Sequence, residues 1–237
     1  MNLFDLLGFG PKGWGLTLLI GLLFTVLVSI VALLLGSVFG SLIAWAKLSR
    51  STFSNIIGEA YTTVFRGVPE LLIIYLFYFG GSSSVSMMAH ALGFEGFYDI
   101  PPFLAGSIAV GMISGSYQAE VYRGAYVAIG RGELEAATAV GMGKWLKFRR
   151  IIVPQVLRFA IPGLGNVWQL TLKDSALVSV TGIADLMRQS SVAAGSTKQH
   201  LIFYTVAGLL YLLLTSISGY FFNAAEARAT RGLRRSA

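Results

Sequence analysis

Residues 13–46 read GWGLTLLIGLLFTVLVSIVALLLGSVFGSLIAWA, a run without a single Asp, Glu, Lys, Arg or His. About 20 consecutive apolar residues in a helix suffice to cross a bilayer core. This run is longer, which fits a tilted helix projecting beyond the bilayer. A cleavable leader fits poorly, because its apolar core covers only about 7–15 residues and follows a positive start; here Asp5 precedes Lys12. Gly36 and Gly40 lie four residues apart within the run. Such a small-xxx-small step permits close helix contact, and the general tolerance of Gly in membrane helices explains the pair equally well.

The rest of the chain agrees with a membrane protein. Of 237 residues, 55% are hydrophobic and 12% charged, well outside the balance of a soluble domain. The absence of cysteine excludes disulfides, thiolate metal sites and cysteine nucleophiles. The net charge of +7 would suggest nucleic acid in a soluble protein, but the basic residues are grouped between apolar runs, as membrane orientation requires. No nucleic-acid partner is therefore expected.

Five apolar segments are expected to span the membrane: about 14–46, 69–92, 102–119, 155–179 and 201–222. An odd number puts the termini on opposite sides. Segments 47–66, 123–150 and 223–237 are rich in Lys and Arg, among them Lys47, Arg50, Arg66, Arg123, Arg131, Lys144, Lys147, Arg149, Arg150, Arg231, Arg234 and Arg235. The segments that alternate with them hold Lys12, Lys173, Arg188 and Lys198. The positive-inside rule then places the amino terminus outside and the carboxyl terminus in the cytoplasm. With no fixed-period repeat and no Pro- or Ser-rich linker, residues 1–237 read as one all-α membrane domain, its core at about 14–222.

Between the third and fourth segments lies GELEAATAVGMGKWLKFRRIIVP, residues 132–154, cytoplasmic by the same rule. Glu, Leu and Ala at 132–140 are strong helix formers, and Glu133 and Glu135 suit the positive end of a helix dipole. Gly141 is placed to end that helix in the left-handed conformation. Lys144 then starts another, with Trp145, Phe148 and Ile151 or Ile152 at three- and four-residue spacing. Pro154 is expected to mark the turn into the next span. The small Ala136 and Ala137 at an exposed end would let a partner approach closely, and a short helix in a groove transmits a rigid-body push. An interfacial amphipathic helix held at the lipid surface by Trp145 and the basic residues is the competing reading.

The spacing Glu135-Ala136-Ala137, three residues, Gly141, nine residues, Ile151, one residue, Val153-Pro154 resembles the EAA loop of importer-type ABC transporter permease subunits. Val153 in place of Leu is the one departure. The likeness extends over nearly the whole chain, through YTTVFRGVPELLIIYLFYFG at 61–80, YQAEVYRGAYVAI at 117–129 and IPGLGNVWQLTLKDSALVSVTGIADLM at 161–187. These are similar to the polar amino acid branch, histidine, arginine and opine permeases in particular, including the basic ending ARATRGLRRSA. The resemblance implies a type I ABC importer transmembrane domain. In that family the loop is a coupling helix docked in a groove of the ATP-binding subunit, so Glu135, Ala136, Ala137, Gly141 and Pro154 become the ATPase-coupling residues. It also implies a dimer of ATP-binding subunits carrying ATP and Mg, a second and related permease, a periplasmic solute-binding protein and a small amino acid cargo, all at the bacterial inner membrane. The external loop 180–200, with Gly182, Asp185, Leu186 and Met187, would form a short helix against the binding protein.

For the cargo path, Pro154, Pro162, Gly163 and Gly165 argue against an uninterrupted fourth helix, since Pro lacks a donor and clashes with the preceding turn. Polar Asn166, Gln169, Thr171, Lys173, Asp174, Ser175 and Ser179 follow the expected break. Ionisable groups in lipid are costly and face the interior, a pathway or an interface. Lys173 and Asp174 are either a structural pair at the outer border or part of the lining, where a zwitterion finds a cation for its carboxylate and an acceptor for its ammonium. Glu70, just after Gly67 and Pro69, is a further candidate for cationic cargo. Glu120 and Arg123, one turn apart, read as an intrahelical pair. Ser114, Gly115, Ser116, Tyr117 and Gln118 read as a packing face.

No G-x-x-x-x-G-K-[ST] loop is present, and GMGKW at 141–145 lacks both its spacing and its hydroxyl. The chain is thus read as a transport subunit, not an enzyme, binding no cofactor or metal itself. A membrane serine protease using Ser114 with His90 or His200 fails because the depths of these residues do not match. A gradient-driven secondary transporter or channel is the stronger rival, and the lack of an inverted repeat speaks against it.

Overall fold

The computed structural model describes residues 6–10 and 13–229, and the basic ending from 230 onward, with Arg231, Arg234 and Arg235, lies outside the described residues, as do Asp5 and Lys12. Every regular element among the described residues is helical. The long apolar run forms α1, Gly15–Leu48, which at about 1.5 Å per residue exceeds the bilayer core. The basic segment after it is no loop. It folds as α2, Thr52–Gly67, started by Ser51, whose hydroxyl accepts from Ser54 N–H. Val68 and Pro69 interrupt it, and α3, Glu70–Ala91, follows with one π turn at Leu76–Gly80.

Next come α4, Pro102–Val127, and the short α5, Arg131–Ala139. Helical backbone then runs unbroken from Lys144 to Thr181 as α6, and α7, Leu186–Thr197, and α8, His200–Ala229, complete the chain. Four of these, α1, α3, α6 and α8, are long and apolar enough to cross a membrane by length and composition. The segment expected as the third crossing is helical throughout as α4 but is less apolar, for a physical reason. It sits at the centre of the bundle, against α1, α2, α3 and α6, so helix neighbours rather than lipid select its residues.

The α1–α4 crossing is the most extensive packing in the molecule. A Cβ on Gly36 would come within 3.1 Å of Gly111 O and Gly115 N, and one on Gly40 within 3.0 Å of Gly115 O. The glycine pair is therefore a contact surface between two backbones. Gln118, fully buried, seals the crossing: its amide donates to Leu33 O and Ser114 Oγ, while its carbonyl accepts from Ser37 and Tyr122. Ser114, Ser116 and Gln118 thus serve packing as expected, with Thr171 of α6 donating to Ser114. On one side of this crossing Val28, Ala32, Ile74, Val110 and Val178 form an apolar core. A second core joins Leu18, Leu186, Ala194 and Phe203 of α1, α7 and α8.

Two expectations about α6 fail. Pro162 does not break the helix: it lies inside Val153–Ser175 on an exposed face, where the single lost N–H bond costs least. Pro154 does not turn the chain either. A π turn at Phe148–Ile152 precedes it, and a widened turn of this kind makes room for the proline ring while helix continues. The α-geometry tightens instead at Ala176–Thr181 and ends at Gly182, φ 95°.

Candidate functional site

Two places carry function-bearing residues. The first is the segment 131–154. Gly141 has φ 77°, its N–H donates to Thr138 O and Met142 N–H donates to Ala137 O. This paired ending of α5 is a Schellman turn, which satisfies the last carbonyls and needs a left-handed residue at its centre. Lys147 donates to the Thr138 hydroxyl at 2.7 Å and Gln155 donates to the Glu133 carboxylate, so the two arms are tied together. Glu135, Ala136, Gly141 and Pro154 are exposed, but Ala137 is not: it is 4% accessible, and the expectation that both alanines are displayed is corrected for this residue. It falls on the inner side of a one-sided helix, one step of about 100° round from Ala136. Trp145 is 72% accessible and stacks on Phe148 at 5.8 Å.

The second place lies between α1, α2 and α4. An open cavity of about 490 Å³ is lined by Lys47, Thr62, Arg66, Tyr117, Glu120 and Arg123, among others. Lys47 is buried at the end of α1, where it is neutralised by Glu120 and by Glu59 at 3.0 Å and donates to the Thr62 hydroxyl at 3.0 Å. Glu120 in turn accepts from Arg123 at 2.8 Å, the intrahelical pair that the spacing predicts. Arg66 stands apart. Its guanidinium lies over the Tyr117 ring at 5.3 Å from the centroid, and it closes no ion pair among the described residues. Glu70 and Asp174 both act electrostatically on Tyr117, and on one another.

The structure therefore gathers only part of the predicted pathway set. Glu70 of α3 and Asp174 of α6 are each half-buried. Lys173 and Asn166 are exposed on another side of α6, Gln169 and Ser179 are half-buried, and Ser175 is buried, its hydroxyl bonded to Leu172 O. Lys173 and Asp174 close no ion pair among the described residues, so the structural-pair reading lacks its contact. Sequence reasoning missed Lys47 and Glu59 and assigned Tyr117 to packing. The one available signal was Lys47, a cation ending the longest uncharged run in the chain. Asp185, expected on a helix facing outward, is buried; it caps α7 by accepting from Arg188 and Met187 N–H. Burial pushes its carboxyl up to about 6, against the pull of those N–H groups.

An all-helical membrane bundle that offers an exposed, pretied helix–turn–helix beside a polar interior belongs with transport permeases. The family described as "Binding-protein-dependent transport system inner membrane component" matches residues 36–232, and the chain belongs to it. It is an inner-membrane permease subunit of a binding-protein-dependent ABC importer. It is 52% identical to the octopine transport system permease protein OccQ of Rhizobium meliloti over 235 residues, 99% of each chain. It is 38% identical to the histidine/lysine/arginine/ornithine transport system permease protein HisQ of Escherichia coli, over 94% of this chain and 98% of that one. Among solved structures it is similar to an amino acid ABC transporter with histidines, at 30% identity and TM-score 0.76, covering 91% of this chain and 95% of that one.

Proposed function

We propose that this subunit imports cationic amino acids or opines, crossing the membrane five times with α4 as the central crossing, its amino terminus outside and its carboxyl terminus in the cytoplasm. It pairs with a second, related permease chain. Two ATP-binding subunits, carrying ATP and Mg, grip the Glu135–Gly141 segments, and an external binding protein delivers the cargo. When ATP closes the motor dimer, the coupling helices are drawn together and the bundle shifts between outward- and inward-facing states. The cargo is chemically unchanged.

The observation that carries the coupling role is the Schellman turn at Gly141, which holds Glu135 and Ala136 at the surface on a short helix bound to α6 through Lys147 and Thr138. A push on α5 is then passed to α6 rather than absorbed by a slack loop. The cargo class is supported by the pair of half-buried carboxylates, Glu70 and Asp174, and by the printed substrates of the relatives.

The test is the importer complex in liposomes with Glu135→Ala or Gly141→Val. ATP hydrolysis should persist while L-arginine uptake per ATP falls, with membrane insertion unchanged. Normal coupling in both variants sinks the assignment, and uptake by the lone chain without ATP would favour the gradient-driven alternative. Cysteine labelling at position 135 from the cytoplasmic side checks the orientation.

A further inference from the structure

The cavity between α1, α2 and α4 lies where the apolar depth of the bundle ends. Lys47 is the first charge after the uncharged run 13–46, and Glu120 and Arg123 fall in the last third of α4. Charges that close apolar runs of this length mark the level at which headgroups replace acyl chains. Three cations, Lys47, Arg66 and Arg123, line the cavity with two carboxylates, Glu59 and Glu120. Both carboxylates are spent, Glu59 on Lys47 and Glu120 on Lys47 and Arg123. One positive charge is left over. It is that of Arg66, which closes no ion pair among the described residues and lies over the Tyr117 ring. A ring face holds a guanidinium in place without supplying an anion, so its fork of N–H donors stays open to one.

A second observation comes from α2. Glu59, Thr63 and Arg66 reach the cavity at spacings of four and three, so they share one edge of that helix. The neighbouring edge carries Phe53, Ile56, Ile57 and Val64, all exposed, while Gly58 and Thr62 on the opposite side are buried against Lys47 of α1. An unpaired cation at headgroup level beside an exposed apolar stripe matches the two ends of one molecule. We propose that the cavity and this stripe seat an anionic phospholipid, Arg66 taking the phosphodiester through its N–H fork and the acyl chains lying along Phe53, Ile56, Ile57 and Val64. A phosphodiester with a single negative charge, as in phosphatidylglycerol, balances the one surplus cation. Phosphatidylethanolamine brings an ammonium as well, for which the lining holds no unspent carboxylate. The seat is independent of which cargo the importer carries.

The experiment strips lipid from the detergent-purified importer complex, adds dioleoylphosphatidylglycerol and dioleoylphosphatidylethanolamine in equal amounts, and counts retained lipid by native mass spectrometry. The unaltered complex should retain phosphatidylglycerol in preference. Arg66→Gln should lower that retention about five- to tenfold, the scale of one basic residue at a lipid surface, and leave phosphatidylethanolamine unchanged. Arg66→Lys keeps the charge without the fork and should lose only about two- to threefold. Together with the ethanolamine count, it separates loss of the seat from loss of the fold. Arg149→Gln, which removes an exposed cation outside the cavity, should change nothing. Val64→Ser should weaken phosphatidylglycerol retention as well, because the stripe holds the chains. If the unaltered complex shows no preference, or Arg149→Gln matches Arg66→Gln, there is no seat, only attraction to a basic surface. If inorganic phosphate displaces phosphatidylglycerol at equal concentration, the site takes a free anion and the lipid assignment is wrong. If L-arginine displaces it, the cavity belongs to the cargo route and the lipid assignment is equally wrong.

Discussion

Glycine serves opposite ends in two regions of this permease. At Gly141 a Cβ would meet nothing within 4 Å, yet φ is 77°: glycine is needed there for its backbone. At Gly36 and Gly40 the backbone is ordinary helix, and a Cβ would run into the backbone of α4: glycine is needed there for its absence of side chain. The first demand is local and belongs to the six consecutive residues Ala137 to Met142. The second belongs to two helices far apart in sequence. The turn at Gly141 is thus a conformational device, the crossing a packing device, and substitutions should fail in different ways in each.

The largest effect is expected at the crossing. In Gly40→Leu, the added side chain meets Gly115 O and Ala119 N within 3.1 Å, atoms that cannot move without separating α1 from α4. The expected cost exceeds about 3 kcal/mol, read as loss of the monodisperse importer complex on size exclusion. A normal elution profile would show that the two helices part more easily than their packing implies. Next comes Lys47→Met, which keeps the apolar stem but strips the shared cation from Glu120 and Glu59. Arg123 still serves Glu120, and Glu59 is more than half exposed, so the loss should be about 3 kcal/mol, near the low end for breaking a buried pair. The thermal midpoint of the detergent-solubilised complex reports it.

Asp185 gives a smaller effect with a defined sign. Its folded carboxyl titrates near 6, above the unfolded value of about 3.9, so the stability it confers is present below about pH 4 and is lost as pH rises through about 6. Asp185→Asn removes the charge and keeps an acceptor for the Arg188 N–H, while giving up the longer bond from the Met187 N–H. It should raise stability by about 2 kcal/mol at pH 7.5 and by less than about 1 kcal/mol at pH 4.5; a midpoint difference independent of pH would refute the buried charge. Smallest is Gly141→Ala, about 1 kcal/mol from the left-handed backbone alone, with Gly141→Asn milder still. Hydrogen exchange in the peptide covering 134–142 should show it while the global midpoint stays put. A global loss would mean that the turn is packed after all, which would erase the contrast with Gly40.

Legibility in the sequence follows the same division. The apolar runs, the helix from 131, its glycine ending and the Glu120–Arg123 pair are written within a few residues, and each stands where spacing places it. The departures all involve neighbours distant in sequence. Pro162 reads as a break, but an exposed face tolerates one missing N–H. Ala137 reads as displayed because an alanine has no side-chain character to show which side is covered. Segment 47–66 reads as a link between spans because its packed side is small and polar: Gly58 and Thr62 are buried, Gly58 against Lys47, and the Tyr61 hydroxyl donates to Met112 O of α4 at 2.7 Å, while Phe53, Ile56 and Val64 stay exposed. Lys47 was visible as the cation ending the uncharged run; its meeting with Glu59, Thr62 and Glu120 was not.

By itself, then, the sequence determined that this chain lives in a membrane and that the segment between α4 and α6 bends at Gly141. Those properties come from hydrophobic length and from backbone conformation, both of which act over one or two turns. Only the tertiary structure decided that α4 is central despite its polar composition, that Lys47 closes a network across three helices, and that Arg66 rather than a carboxylate covers Tyr117. Such choices depend on which surfaces exclude lipid and water from one another, a property of packed pairs that no single segment contains.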